Sequence, residues 1–299
     1  MGGGIMRNLG HIFRDIRMDK GYSLKDIADG ILSVSFLSKF ERGDSDISLS
    51  KFYLLLERLN ITFDEFSFIS NDYNPTQVET LMKNVRNAYE NNNINLLYKL
   101  EQEEIYKWKK YNFSSHRYNS IMISALAYDL NKQLELYQED ITLLNEYLFK
   151  VENWGFYEIM LFGNSMSILP IESIITFSKE ILNKTQLYSR VKKNKEKLIR
   201  VLLNTIVYCI ESNRPSSALH FIISAEKILE RHSDLYFEKV KLLYLSGIYK
   251  IISGNSDVGI VMSNRAIKIM DALGDINAVN NHEIYLRKKI VFSNTANPN

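Results

Sequence analysis

From residue 78 onward the chain repeats one pattern, amphipathic helical segments arriving in pairs. New pairs begin near Val78, Arg117, Phe156, Lys195 and Leu235, a spacing of roughly 40 residues. A unit of that size cannot bury an apolar face alone, so it must stack on its neighbours, and the expected architecture is an all-α array. Composition agrees. Four prolines and 13 glycines in 299 residues are too few breakers for a turn-rich β sandwich. The 45% hydrophobic and 24% charged residues supply an ordinary globular core.

The last pair carries the clearest spacing. Gly247, Gly254, Gly259 and Ala266 stand at intervals of seven, five and seven. Tetratricopeptide-like (TPR-like) repeats place small residues at such intervals for close helix contact. Ala218 and Ala225 repeat the interval of seven one unit earlier. The other units match poorly, which makes this a diverged helical-repeat domain, expected over residues 78–299. Its concave surface suits an extended or helical peptide. A linker is expected over residues 70–77, where SNDYNPT is polar and holds the first proline of the chain.

Residues 1–69 read as a separate five-helix domain. Leu9, Ile12, Phe13 and Ile16 recur at helical spacing in a first helix expected from about Ile5 to Lys20, with Gly21 as its left-handed cap. Ser23 and Asp26 have capping-box spacing, Leu24, Ile27 and Ala28 share a face, and Gly30 supplies a bend. A following helix, roughly Ser35 to Arg42, buries Leu37 and Phe40. ERGDSDIS, residues 41–48, reads as a polar loop, with Ser48 capping a helix that carries Phe52, Leu55, Leu56 and Leu59. A last helix is expected near Phe63–Phe66. Two short helices around Gly30, the second polar on its outer face, read as a helix-turn-helix (HTH) that enters a major groove of double-stranded DNA. Ser35, Phe36 and Lys39 are the candidates for base edges, and Arg14, Arg17 and Arg42 for phosphates. A solvated helix face is the plain alternative for the first three, and for Arg42 an ion pair with Glu41 or Asp46.

The stretches LGHIFRDIRMDKGYSLKDIADG and FLSKFERGDSDIS, together with NEYLFKVENWGFYEIMLFGNS at residues 145–165 and SKEIL at 178–182, resemble the Rgg-type regulators of the RRNPP group. The resemblance implies an XRE-like HTH head on a TPR-like repeat domain. It also implies a cytoplasmic homodimer that binds promoter DNA and answers a short signalling peptide, as in quorum sensing. It points to Arg86, Asn164 and Asn204 as peptide contacts. An asparagine amide offers a donor and an acceptor to an extended backbone, and arginine can hold a carboxylate bidentately. Tyr157, Tyr208 and Tyr244 are candidate aromatic walls, with inter-repeat packing as the alternative. Where the family can carry an arginine after the FGN asparagine, this chain reads SMSI over residues 165–168.

Other classes find little support. The histidines at 11, 116, 220, 232 and 282 have no metal-ligand spacing, and no phosphate-binding loop is present. Glu101, Glu103 and Glu104 read as a solvated face. No catalytic set and no cofactor is expected. Cys209 is the only cysteine, which excludes an internal disulfide, and its apolar neighbours mark it as core. Met160, Met166 and Met262 suit either core gaps or an adaptable groove. No apolar run of about 18 residues is long enough for a membrane span and the N-terminus lacks a signal-peptide core, so a cytoplasmic protein is expected. Residues 1–66 hold nine Lys/Arg and ten Asp/Glu, so the head lacks the basic excess of a nucleic-acid binder. Two further readings fit the same residues: a ligand-independent repressor that uses its repeats to dimerise, and a protein-interaction adaptor.

Overall fold

A computed structural model describes residues 8–184 and 192–296, so Ile5 and Arg7 of the expected first helix lie outside the described residues. The described elements are helices throughout, and the chain divides into two compact units, residues 1–87 and 88–299. The first holds α1 (Leu9–Asp19), α2 (Leu24–Ala28), α3 (Val34–Glu41), α4 (Leu49–Arg58) and α5 (Phe63–Ser70). A sixth helix, α6 (Gln77–Glu90), runs through the division between the units.

Local signals set these boundaries. Ser23 and Asp26 close the expected capping box, and Thr62 with Glu65 closes another at α5. Gly21 and Gly30 take φ of 74° and 69°, the left-handed region that glycine enters freely. The core joins Phe13, Ile27, Leu37, Leu55 and Leu59, all sealed from solvent. The rings of Phe13, Phe40, Phe52 and Phe66 meet at tilted or edge-on angles, the closest pair 4.9 Å apart.

Three expectations for this unit are corrected. Leu9 is not part of the buried stripe, being 41% exposed. Gly10 takes that place instead, since α1 crosses α3 so closely that a Cβ there would lie 1.8 Å from the Phe40 carbonyl oxygen. Glu41 belongs to α3 rather than to a polar loop, and it is buried. Arg17 is buried with it, Nε and Nη2 donating to the two carboxylate oxygens at 2.6 and 2.8 Å. Its remaining Nη1 donates to the Tyr22 carbonyl at 2.6 Å. A buried, fully hydrogen-bonded guanidinium cannot leave its carboxylate for a phosphate, so Arg17 ties α1 to α3.

The second unit contains α7 (Ile94–Tyr111), α8 (Ser114–Leu130), α9 (Gln138–Lys150) and α10 (Phe156–Ser165) with a 3-10 turn at Met166–Ile168. There follow α11 (Ile171–Lys184), α12 (Lys192–Glu211), α13 (Pro215–Glu230), α14 (Tyr236–Ile252), α15 (Ser256–Ala272) and α16 (Ile276–Ala296). Helices α8, α10, α12, α14 and α16 adjoin one another in order as a single row. The intervening helices pack against neighbours in that row. This is the stacked-pair arrangement of a helical repeat. Asparagines at positive φ, Asn92, Asn112 and Asn213, end α6, α7 and α12 where glycine is usual.

The tightest contact is the one the glycine spacing marks. A Cβ on Gly247 would stand 2.7 Å from the Gly259 carbonyl oxygen and 2.8 Å from the Ser263 nitrogen. A Cβ on Gly259 would stand 2.5 Å from the Gly247 carbonyl oxygen. Helices α14 and α15 therefore meet backbone to backbone. Cys209 is sealed in the same core, and burial pushes its thiol up to about 11, so it behaves as a small apolar side chain. Met160 and Met166 are likewise buried.

Glu104 overturns the solvated-face reading. It is 1% exposed and accepts from Lys107 Nζ (2.6 Å), Asn119 Nδ2 (2.8 Å) and His116 Nδ1 (2.8 Å). Burial alone would raise this carboxyl, but the three donors outweigh it and hold it below the usual range. A depressed native value stabilises the fold above the unfolded-state value of about 4.3 and is lost as pH falls through the native one. Glu104→Gln should therefore destabilise by about 1–3 kcal/mol at pH 7, with the deficit shrinking in acid. Urea unfolding at pH 7 and pH 4 measures both. Gly247→Ala should lower stability by about 1–3 kcal/mol, from overpacking against backbone that cannot rotate aside; the same titration reads it, and an unchanged midpoint would refute the close-contact account.

Candidate functional site

The outer face of α3 is prepared by its N-cap. Ser33 accepts from the Phe36 nitrogen at 3.2 Å and lies 3.2 Å from the Ser35 hydroxyl. Ser35 and Lys39 project from the next turns, both exposed, and Lys39 has no ion-pair partner among the described residues. Phe36 is half-buried, with the Lys51 ammonium of α4 5.8 Å from its ring centre. Lys51 thus joins this face, though nothing in its own sequence neighbourhood marks it. Arg14 is exposed on α1 without an ion-pair partner among the described residues. Arg42 pairs with neither Glu41 nor Asp46. Its Nε donates to Asp44 at 2.8 Å and its Nη1 to Ser38 at 2.6 Å, both groups open to solvent. Exposed pairs of this kind are worth about 0–1 kcal/mol, so Arg42 can exchange Asp44 for a phosphate. Arg17 is excluded by its burial.

Three acids of the head have defined structural roles. Asp26 and Glu65 are engaged in the two capping boxes, and those hydrogen bonds hold both carboxyls below their usual values. Glu41 is consumed by Arg17. Of the acids in α1–α5 only Glu41 is buried; Asp26 and Glu65 stay exposed and ionised in their capping roles, and Lys39, Lys51 and Arg14 are exposed as well. Asp44 sits beside Arg42 on the side that carries α3's C-terminus.

In the second unit, the row from α8 to α16 carries four of the five expected peptide contacts. Tyr157 and Asn164 lie on α10, and Asn204 and Tyr208 on α12. Residues four apart share a helix face, so Asn204 and Tyr208 stand in one stripe. Gly163 brings the two helices together, because a Cβ there would be 2.9 Å from a Val201 methyl. Asn164 is half-buried, and the one partner its amide nitrogen has among the described residues is the weak acceptor Met122 Sδ at 3.7 Å. Asn204 is half-buried with no hydrogen-bond partner among the described residues. Burial pushes the Tyr208 phenol up to about 12, with the charge of Asp129 adding to it. Tyr157 differs, for its hydroxyl lies 3.1 Å from both the Ser115 carbonyl and Asn119 Oδ1, so only its ring remains for a ligand. Tyr244 is no wall. It is 2% exposed and donates to the His282 carbonyl at 2.7 Å. Arg86 stands exposed on α6 and belongs to the first unit.

Among the described residues there is no cluster of metal-binding side chains, and no helix is long and apolar enough to cross a membrane. Comparison with known proteins gives two family matches. The C-terminal domain of the HTH-type transcriptional regulator Rgg matches residues 97–284, and a helix-turn-helix family matches residues 13–66. The crystal structure of the SHP pheromone receptor Rgg2 of Streptococcus dysgalactiae superposes with a TM-score of 0.80 at 31% identity, over 94% of this chain and 99% of that one. A protein of Listeria monocytogenes EGD-e gives 0.83 at 21% identity over 97% and 99%. The PrgX/cCF10 complex gives 0.69 at 17% over 95% and 99%. The last two speak for the fold alone. The first, joined to a family match across most of the second unit, decides the family: the chain belongs to the Rgg family of HTH-type transcriptional regulators.

Proposed function

We propose that this protein is a peptide-responsive regulator of transcription. As a homodimer it grips promoter DNA through α3, and a short signalling peptide lying along the α8–α16 row shifts the population between two arrangements of the heads. One observation carries the reading: Asn164, Asn204 and Tyr208 are half-buried polar groups on adjoining helices that lack good partners within the described chain. Such groups are costly unless something meets them, and a peptide backbone supplies both donors and acceptors. The 31% identical receptor of a pheromone supports the same ligand class.

Two further features fit. A head of this kind reads two half-sites through a two-fold pair. Ile276, Ile284 and Val291, spaced eight and seven apart along α16, leave an exposed apolar stripe that a second copy would cover. On the DNA side the contacts are Ser35, Phe36 and Lys39 for bases and Arg14 and Arg42 for phosphates. For the peptide they are the Tyr157 ring, Asn164, Asn204 and Tyr208.

Asn204→Ala should weaken peptide binding roughly tenfold, the size of one or two hydrogen bonds, while operator affinity stays unchanged. Anisotropy with a peptide and a duplex selected from random pools measures both; parallel loss of DNA binding would make Asn204 structural. Arg14→Ala should weaken all duplexes alike and reduce the slope of log affinity against log salt by about one, whereas Lys39→Ala should cost about 1–3 kcal/mol on the selected duplex and little on scrambled DNA. Equal losses on both duplexes for Lys39→Ala would remove it from base reading.

A further inference from the structure

The polar stripe of α12 continues one turn beyond Asn204. Arg200, Asn204 and Tyr208 are each four residues apart and share a face. Arg200 Nε donates to the buried carboxylate of Glu238 on α14 at 2.9 Å, and its guanidinium lies 5.9 Å from the Phe237 ring centre. Lys241 stands one turn beyond Glu238, half-buried, with no hydrogen-bond or ion-pair partner among the described residues. On the next helix of the row, His282 Nδ1 meets the Ala278 carbonyl at 2.7 Å. Only an N–H can bond a carbonyl, so Nδ1 carries the proton and Nε2 is left over. The Tyr244 ring, 4.5 Å away, fixes the imidazole edge-on.

Charge here is unbalanced. Two cations, Arg200 and Lys241, face one carboxylate that Arg200 already holds. Burial, then Arg200, push the Lys241 ammonium below its usual value. Burial also lowers His282 and Lys241 adds to that, while the Ala278 carbonyl and Asp275 pull the other way. The other end of the stripe is settled by contrast. Asp129, near Tyr208, has one oxygen held by the Tyr89 hydroxyl at 2.6 Å and the other by Lys132 at 2.8 Å. The charge in this row that wants a partner is therefore positive, and it lies where α12, α14 and α16 adjoin.

We propose that Arg200, Lys241 and His282 form an anion subsite that takes a carboxylate of the bound peptide, either its C-terminus or an acidic side chain. The inference rests on the peptide-binding reading above and names what the peptide must carry. Lys241 acts as a point charge, the outer guanidinium nitrogens of Arg200 offer a fork, and His282 Nε2 gains a proton as the anion arrives. Arg200 and Tyr208 are about 12 Å apart along the helix axis, the reach of about four extended residues. A short peptide whose backbone meets Asn204 and Tyr208 thus brings its acidic end to Lys241.

The test captures random apolar octapeptides on immobilised full-length protein, in three pools read by mass spectrometry. One pool has a free C-terminal carboxylate and no acidic residue, one a C-terminal amide and a single glutamate, and one an amide and no acid. The first or the second should be retained roughly tenfold over the third, identifying which carboxylate is read. Lys241→Gln should lose that preference and Lys241→Arg keep it, both melting as the parent does; Lys241→Met, which keeps the stem, serves where the glutamine variant does not fold. Equal retention of all three pools, or a preference that survives Lys241→Gln and Lys241→Met, overturns the subsite and leaves the peptide groove standing. Retention of no pool by protein that still binds DNA overturns the groove and the subsite together.

Discussion

The close approach of helices through small residues is the constraint on which the second unit depends. Where α14 and α15 meet at Gly247 and Gly259, no side chain separates the backbones. At Gly163, α10 meets the Val201 methyl of α12. Such contacts fix α14 against α15 and α10 against α12, and with them the placement of the side chains these helices carry. Packing here sets the geometry of recognition, because interiors are close-packed and transmit displacement rather than absorb it.

The head solves a different problem with the same economy of residues. It must present cations to a duplex from a chain segment that holds as many acids as bases. Local structure withdraws one acid, Glu41, which locks Arg17, and gives Asp26 and Glu65 capping roles at exposed helix ends. The Arg17–Glu41 pair also explains how a small domain holds α1 against α3 while its aromatic core packs below. An arginine in that role is a structural element, and its charge is cancelled where it stands.

How much of this was legible in the sequence depends on the range of the interaction. The HTH boundaries, the capping box at Ser23 and Asp26, and the helix pairs starting near Phe156 and Leu235 rest on neighbours within a few residues. The helices accordingly begin at Phe156 and Tyr236. The glycine spacing at 247 and 259 was readable because two helices joined by a short turn repeat their contacts at fixed intervals. What failed were matches across long separations. Arg17 sits 24 residues from Glu41, and on the helical wheel it shares a face with exposed Arg14. Glu104 draws on Asn119, 15 residues away, and looks like any acid in a charged run. Lys51 over Phe36 joins two helices whose relative placement no local pattern states. Asparagine did the work of glycine at four helix ends, Asn60 after α4 among them, and a side chain that tolerates positive φ only sometimes leaves no clear mark.

The connection between head and repeats bears on how binding in the row can reach the duplex. The segment after α5 is polar, as a linker should be, yet it is cross-tied. Asn71 Nδ2 donates to the Asn74 and Pro75 carbonyls, Asn74 Nδ2 returns to the Asn71 and Asp72 carbonyls, and Tyr73 packs edge-on to Phe68. Thr76 and Glu79 then cap α6 reciprocally. Helix α6 runs unbroken from Gln77 to Glu90, past the point where the two compact units divide. Coupling between a ligand and the duplex needs no contact between ligand and head; it needs only that the protein have two arrangements and that the ligand favour one of them.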